Sequence, residues 1–461
     1  MKKVKRRAMS VLLIILCLMV GVGVFSYRFF HEGSQWVNFT ANKHIYSNGV
    51  LIGGSIYDRD GNALVHTVDG VRKYSDSESV RCATMHIVGD KKSNIATSLQ
   101  KVYADELMGY NTINGTYSVS GTGNSIYTTL DSDICAAAYE QLKGKKGAMC
   151  IYNYQTGEVI CLVSTPTYDP ENPPSISNDD DRYEGVYINR VISSRFTPGS
   201  TYKVVTAAAA IDTIGDIFEQ QFTCNKTETV NGQKIVCSGT HHDEDFVQAL
   251  ANSCNIAFGN ISRQLGWETT SLYAQKLGIT TSHSLSGIPV AKGSIASSGG
   301  QNELSWTGIG QNTDLVNPFA MMRCAGIIAN HGMCAEPYLV EKITDSSGFP
   351  RSLPATRDSA RYLSRDTADR LADMMRNNVV SKYGESNYPD GMEVCAKSGT
   401  AELDGGQTSH AWFMGFCRNQ EYPYAFVSFV QNGGNGARVA GGAVSKVLAE
   451  IKNKEDGQNQ A

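Results

Sequence analysis

An α+β fold is predicted, with an antiparallel sheet and helices segregated from it rather than alternating with strands. Three observations predict it. Candidate strands come early and late in the chain, and helical stretches lie between them; that order does not suit a doubly wound sheet. The run AMCIYNYQTGEVICLVS (148–164) reads as two β-rich segments folded back around Gln155-Thr156-Gly157, and a hairpin pairs antiparallel. The chain of 461 residues is 41% hydrophobic and 19% charged, which leaves room for two or three domains and a large core. A net charge of −4 offers no electrostatic case for binding nucleic acid.

The N-terminus is a different material. Basic residues KKVKRR (2–7) precede AMSVLLIILCLMVGVGVFSY (8–27), which carries no charge. About twenty apolar residues span a bilayer as a helix. The basic flank favours the cytoplasm, which puts everything after Tyr27 outside. The bulky residues 24–30 offer no small-residue cleavage site, so an uncleaved anchor is expected and not a signal peptide. The expected organisation is a cytoplasmic tail at 1–7, an anchor at 8–30, a membrane-proximal domain at 31–145, a main domain at 146–455 and a frayed tail at 456–461.

The elements follow in order. SIYDRDGNALVHT (55–67) reads as two strands joined at Asp60-Gly61. Residues 68 to about 125 are polar and irregular and receive no assignment. YTTLDSDICAAAYEQLKG (127–144) reads as a strand and an amphipathic helix, and 165–182 as a Pro- and Asp-rich loop. VNPFAMMRCAGIIANHG (316–332) is punctuated as a helix: Asn317 suits the N-cap, Pro318 the first position and Gly332 the stop. AWFMGF (411–416) and YAFVSFV (424–430) read as neighbouring buried strands. The polar end from about Asn453 is expected to fray.

Three short stretches carry the chemistry. In FTPGSTYKVV (196–205), Pro198-Gly199 breaks the chain before a helix that places Ser200 and Lys203 one turn apart on one face. A serine hydroxyl needs a base, and lysine is one only when neutral, which burial and nearby positive charge favour. Alone, Ser-x-x-Lys is unspecific and most often a capped helix with a solvated lysine. In ANSCNIAFGN (251–260), Ser253 and Asn255 offer a hydroxyl and an amide that could orient Lys203, relay a proton and bind a substrate amide; alone they read as a helix break. In CAKSGTAE (395–402), Lys397 supplies positive charge for a carboxylate, Ser398 and Thr400 supply hydroxyls, and Gly399 lets a substrate backbone approach the strand.

Together and in this order the three stretches are far more specific, and they match a known catalytic signature. The chain resembles class B penicillin-binding proteins, peptidoglycan D,D-transpeptidases. TPGSTYK (197–203), GIGQNTDLVNPFAMM (308–322), HAWFMGF (410–416) and GSIYDRDGNAL (54–64) carry the resemblance as well. It implies a penicillin-binding/β-lactamase-like transpeptidase domain, behind a transmembrane helix and an elongated β-rich membrane-proximal domain.

It implies that Ser200 attacks the D-Ala-D-Ala carbonyl of a stem peptide with Lys203 as general base. Ser253 and Asn255 would relay protons and hold substrate, and Lys397 and Thr400 would bind the terminal carboxylate region. The N–H groups of Ser200 and Thr400 would form the oxyanion hole. An amine from a second stem peptide takes the acyl group, and β-lactams acylate Ser200. No cofactor is expected. A SEDS-type membrane glycosyltransferase is the implied partner, because the chain shows no transglycosylase region of its own. Two rivals stand beside this: a hydrolase, either a D,D-carboxypeptidase or a β-lactamase, and a non-catalytic scaffold that activates a membrane glycosyltransferase.

Of twelve cysteines, Cys17 lies in the apolar segment, and the odd remainder forbids complete pairing. Most read as small buried hydrophobes, and so many thiols hint at a low-oxygen habitat. Cys224 and Cys237 precede His241-His242-Asp243. The cysteine spacing is too wide for a CxxC knuckle and adjacent histidines rarely share a metal. A structural loop, with a Cys224–Cys237 disulfide as one option, fits better, and no metal is expected. Cys254 reads as a small buried side chain.

Overall fold

The computed structural model describes residues 2–37, 46–47, 50–51, 53–68, 71–110, 123–177, 179–311, 313–352, 360–401 and 408–458. The chain begins with one helix, α1 (Lys2–Val37). Its apolar stretch is long enough to cross a membrane and is exposed along its length, which fits a single-pass anchor.

The hairpin expected at Asp60-Gly61 is present as β1 (Ile56–Tyr57) and β2 (Ala63–Val68). Asp58 builds the turn: its Oδ1 accepts from the N–H groups of Asp60 and Asn62 at 3.0 and 2.7 Å. β3 (Val71–Tyr74) follows, then α2 (Glu78–Val88), capped by Ser77. This helix falls in the stretch that received no assignment. Its last turns are buried on every side, so no polar face marks a period in the sequence. β4 (Ser125–Thr128) and α3 (Ser132–Leu142) are the expected strand and helix, with Asp131 as the N-cap.

β5 (Gly147–Asn153) and β6 (Val159–Thr165) form the expected hairpin. The helix α4 (Lys203–Thr213) continues a 3-10 turn over Gly199–Tyr202. Two ribbons come next. β7 (Gln221–Cys224) pairs with β10 (His242–Asp245), and β8 (Thr227–Val230) pairs with β9 (Gln233–Val236). α5 (Phe246–Ala251), α6 (Asn255–Lys276) and α7 (Pro318–Ala329) lead to β11 (Val340–Thr344) and β12 (Pro350–Ser352). The chain ends through α8 (Arg365–Asn378), β13 (Val394–Ala401), β14 (His410–Cys417), β15 (Tyr424–Val430) and α9 (Gly442–Gln458).

The main sheet is antiparallel, in the order β13-β14-β15-β5-β6. Every residue of β14 and β15 is buried, so both sheet faces are covered and the strands read as continuous apolar runs. The helices α7 and α8 pack on it, as do α3 and α9 from the two ends of the domain. α7 is buried over all twelve residues; Asn317 caps it and Pro318 opens it, as expected.

The second sheet runs β12-β11-β4-β1-β2-β3, with β1 and β4 parallel. It takes strands from both sides of residue 145, so a sheet crosses the boundary expected there. The C-terminal end also departs from expectation: instead of fraying from Asn453, α9 runs to Gln458. Its polar side chains have partners. Lys454 Nζ lies 2.9 Å from Asp60 and 2.6 Å from Asp131, and Tyr422 bonds Asp456.

Candidate active site

Ser200 owes its position to a strained approach. Gly199 sits at φ +54° and donates its N–H to Gly310 O at 2.8 Å. A Cβ there would lie 3.0 Å from Ala401 Cα, so no larger residue fits between the 3-10 turn and β13. Trp412 Nε1 donates to Thr197 O at 2.9 Å and ties the turn to the sheet. Ser200 is part-exposed at the start of the helical segment, and Lys203 lies fully buried one turn on.

The structure brings all three stretches together around the Lys203 amine. Nζ lies 3.0 Å from Ser200 Oγ, 2.7 Å from Ser253 O, 3.3 Å from Ser253 Oγ and 2.7 Å from Asn255 Oδ1. The Asn255 amide is oriented by its own Nδ2, which donates to Val236 O at 2.8 Å. Ser253 O and Asn255 Oδ1 can only accept. They therefore take both hydrogens of a neutral amine and leave its lone pair for the Ser200 hydroxyl. Burial lowers the Lys203 pKa to about 8, against the pull of the acidic groups Cys237, Cys254 and Glu244.

Ser253 occupies a left-handed turn, φ +56°, between α5 and α6. Its Oγ bridges two amines, because Lys397 Nζ also reaches it at 2.9 Å and donates to Ser398 O at 2.9 Å. Lys397 is fully buried, and burial followed by the Lys203 charge holds its pKa well below the ordinary lysine value. The lysine expected to sit as a fixed charge for a carboxylate is thus anchored to the second stretch.

Gly399 differs from expectation in what it approaches. A Cβ there would lie 2.8 Å from Pro198 O and 3.2 Å from Thr201 N. The close neighbour is the chain's own turn at Pro198–Thr201, and the missing side chain lets β13 lie against it. Ser398 is half-buried and Thr400 exposed. β13 is the edge strand of the sheet, and side chains already meet much of its outward row: Arg376 and Asn378 donate to Val394 O and Ala396 O, and Lys397 and Tyr383 hold Ser398 O and N–H.

Sequence reasoning missed Tyr383. Its Oη accepts from Ser398 N–H at 3.0 Å and pairs with Ser398 Oγ at 3.0 Å. Nothing in the local sequence marks it, because it arrives from a turn just past α8. Tyr383→Phe is expected to leave the Ser398 amide unsatisfied and slow acylation about tenfold, the equivalent of one hydrogen bond. A stopped-flow acylation rate checks this, with the thermal midpoint as the control for folding.

The region around Cys237 also departs from expectation. Cys224 and Cys237 are free thiols, as are the other cysteines. Cys224, Cys237, His241 and Cys254 bring their ligand atoms within 4.8 Å of one another. The third cysteine comes from the Ser253–Asn255 stretch itself, and this is the pairing that sequence spacing concealed.

Residues 147–451 match the penicillin binding protein transpeptidase domain family. Peptidoglycan D,D-transpeptidase PbpA of Mycolicibacterium smegmatis is 27% identical over 349 residues, 70% of each chain. Stage V sporulation protein D of Bacillus subtilis is 25% identical over 54% of this chain and 39% of its own. The fold matches penicillin-binding protein A of M. tuberculosis, solved as a ceftriaxone acyl-enzyme, with TM-score 0.76 and 23% identity, covering 86% of this chain and 97% of that one. It also matches a D,D-transpeptidase domain from Eggerthella lenta with TM-score 0.75, covering 89% and 99%.

Proposed function

Because the chain belongs to the penicillin-binding protein transpeptidase family, we propose that Ser200 and Lys203 carry out its acyl transfer. The chain is a serine-type peptidoglycan D,D-transpeptidase that binds β-lactams. The observation that carries the residue assignment is the neutral-amine geometry of Lys203, with two obligate acceptors and one hydroxyl around it.

Ser200 Oγ attacks the carbonyl carbon of the penultimate D-Ala while its proton passes to Lys203 Nζ. The N–H groups of Ser200 and Thr400 hold the oxyanion; one such donor lowers the barrier by about 3 kcal/mol. As the C–N bond breaks, the proton travels from Lys203 through Ser253 Oγ to the leaving amine of the last D-Ala. An acceptor amine then attacks the Ser200 ester. It gives up a proton by the reverse path, and the crosslink forms as Ser200 regains its hydrogen. Lys397 holds Ser253 Oγ in line, and Ser398 and Thr400 meet the substrate carboxylate. The substrate backbone meets β13 at its exposed Thr400 end.

The basic residues before the apolar helix favour a cytoplasmic N-terminus and an extracytoplasmic catalytic domain. The membrane-proximal unit is built on residues 31–145 with β11 and β12 added to its sheet, and a SEDS-type glycosyltransferase is the partner this arrangement suits. The test is the fate of a fluorescent penicillin adduct on the full chain in detergent, with and without a D-amino acid acceptor. An adduct lasting hours, with acyl transfer from a peptide donor to the acceptor amine, is expected. Rapid turnover to free penicilloate would make the protein a hydrolase.

A further inference from the structure

We propose that Cys224, Cys237, His241 and Cys254 form a tetrahedral zinc site that clamps the Ser253–Asn255 turn against Lys203. The clamping half rests on the catalytic reading above; the metal site does not.

The four side chains come from four places in the fold. Cys224 ends β7, Cys237 follows β9, His241 precedes β10 and Cys254 caps α6. Cys224 and Cys254 are fully buried, Cys237 is 2% exposed and the His241 side chain is 14% exposed. Burying three thiols and an imidazole together, at the ends of ribbons too short to be stable alone, needs a reason.

The distances supply one. Cys237 Sγ lies 4.0 Å from Cys254 Sγ and 3.7 Å from His241 Nδ1. A tetrahedral zinc ion with its usual bond lengths sets sulfurs about 3.8 Å apart and sulfur from nitrogen about 3.6 Å apart. A disulfide requires sulfurs about 2 Å apart. The set of three soft sulfurs and one imidazole, closed on four sides, is that of structural zinc; hard cations that prefer oxygen would not choose it. Binding is balanced by the loss of up to three thiol protons to solvent as three Zn–S bonds form.

A neighbouring acid fits the same reading. Glu244 is 2% exposed, and its Oε2 accepts from Asn252 Nδ2 at 2.8 Å. Its Oε1 makes no hydrogen bond and lies 3.7 Å from His241 Nδ1. With Nδ1 at the metal, this oxygen stands beside the ligand set as an orphaned buried acceptor that a nearby cation would stabilise.

The link to catalysis is Asn255. Its backbone N–H donates to Cys237 Sγ at 3.2 Å, its Nδ2 to Val236 O, and its Oδ1 accepts from Lys203 Nζ. Cys254 stands between the two residues that set the Lys203 lone pair. A metal on Cys254 and Cys237 would hold this turn, including the left-handed Ser253, in one shape.

The experiment is elemental analysis of the full chain purified in detergent, without added metal and after incubation with zinc. One zinc per chain is expected. Cys224→Ser and His241→Ala should reduce it severalfold, and Cys17→Ser, in the apolar helix, should not. Cobalt-loaded protein should show the intense visible bands of tetrahedral thiolate coordination. No metal in either preparation, an unchanged content in the two ligand variants, or a disulfide among these cysteines by mass spectrometry would overturn the site. Chelated wild type should acylate about tenfold more slowly and recover on zinc addition. Unchanged acylation in the metal-free protein would overturn the clamp. Metal content is read without penicillin, so a failure of the catalytic assignment cannot mimic either result.

Discussion

Ser200→Ala is expected to abolish the fluorescent penicillin adduct, with acylation falling on the order of 10⁵-fold, as for the loss of other serine nucleophiles. Ser200 Oγ lies 3.0 Å from Lys203 Nζ and is part-exposed. Ser253 Oγ, the other hydroxyl on that amine, is engaged by Lys397 at 2.9 Å. The substitution removes one oxygen and no packing, so the thermal midpoint should stay within about a degree of wild type. Intact-mass spectrometry after incubation with penicillin checks the result. A retained adduct of the same mass would move the nucleophile elsewhere. In a strain depleted of this protein, the variant should fail to complement, whereas a pure scaffold would complement fully.

Lys203→Ala is expected to lower acylation about 10³-fold, within the range of a lost general base. The sharper reading is the pH profile of the wild type. Burial disfavours the charged amine and brings its pKa down to about 8. The base is the neutral form, so acylation should climb about tenfold per pH unit below that value and level off above it. The residual rate of Lys203→Ala should lack this limb. A wild-type profile flat from pH 6 to 9 would mean that Lys203 is neutral throughout or is not the base.

Much of the fold was legible where one physical signal was local. The Asp60-Gly61 turn, the Asn317-Pro318 helix start and the apolar runs of β14 and β15 each needed only a few adjacent residues. α2 escaped because burial on all sides erased its period. The tail from Asn453 looked ready to fray because its polar residues have partners far away in sequence, among them Asp60, Asp131 and Tyr422. The strand pairing across the expected boundary at 145 was invisible for the same reason: β11 crosses back to pair with β4.

The site divides along the same line. Sequence by itself determined the residue types and their order: a hydroxyl and an amine one helical turn apart, a hydroxyl and an amide, and a lysine on a strand. Helical periodicity is short-range, so the Ser200–Lys203 pair could be read from four letters. The tertiary structure alone decided that the Lys203 amine donates to Ser253 O and Asn255 Oδ1. It alone set Lys397 beneath Ser253, drew Tyr383 onto Ser398 and turned Gly399 toward Pro198. It also gathered three cysteines and a histidine from residues 224 to 254 into one pocket. Those contacts depend on where separate elements cross, and crossing is settled by burial of the whole apolar surface, which no single stretch encodes.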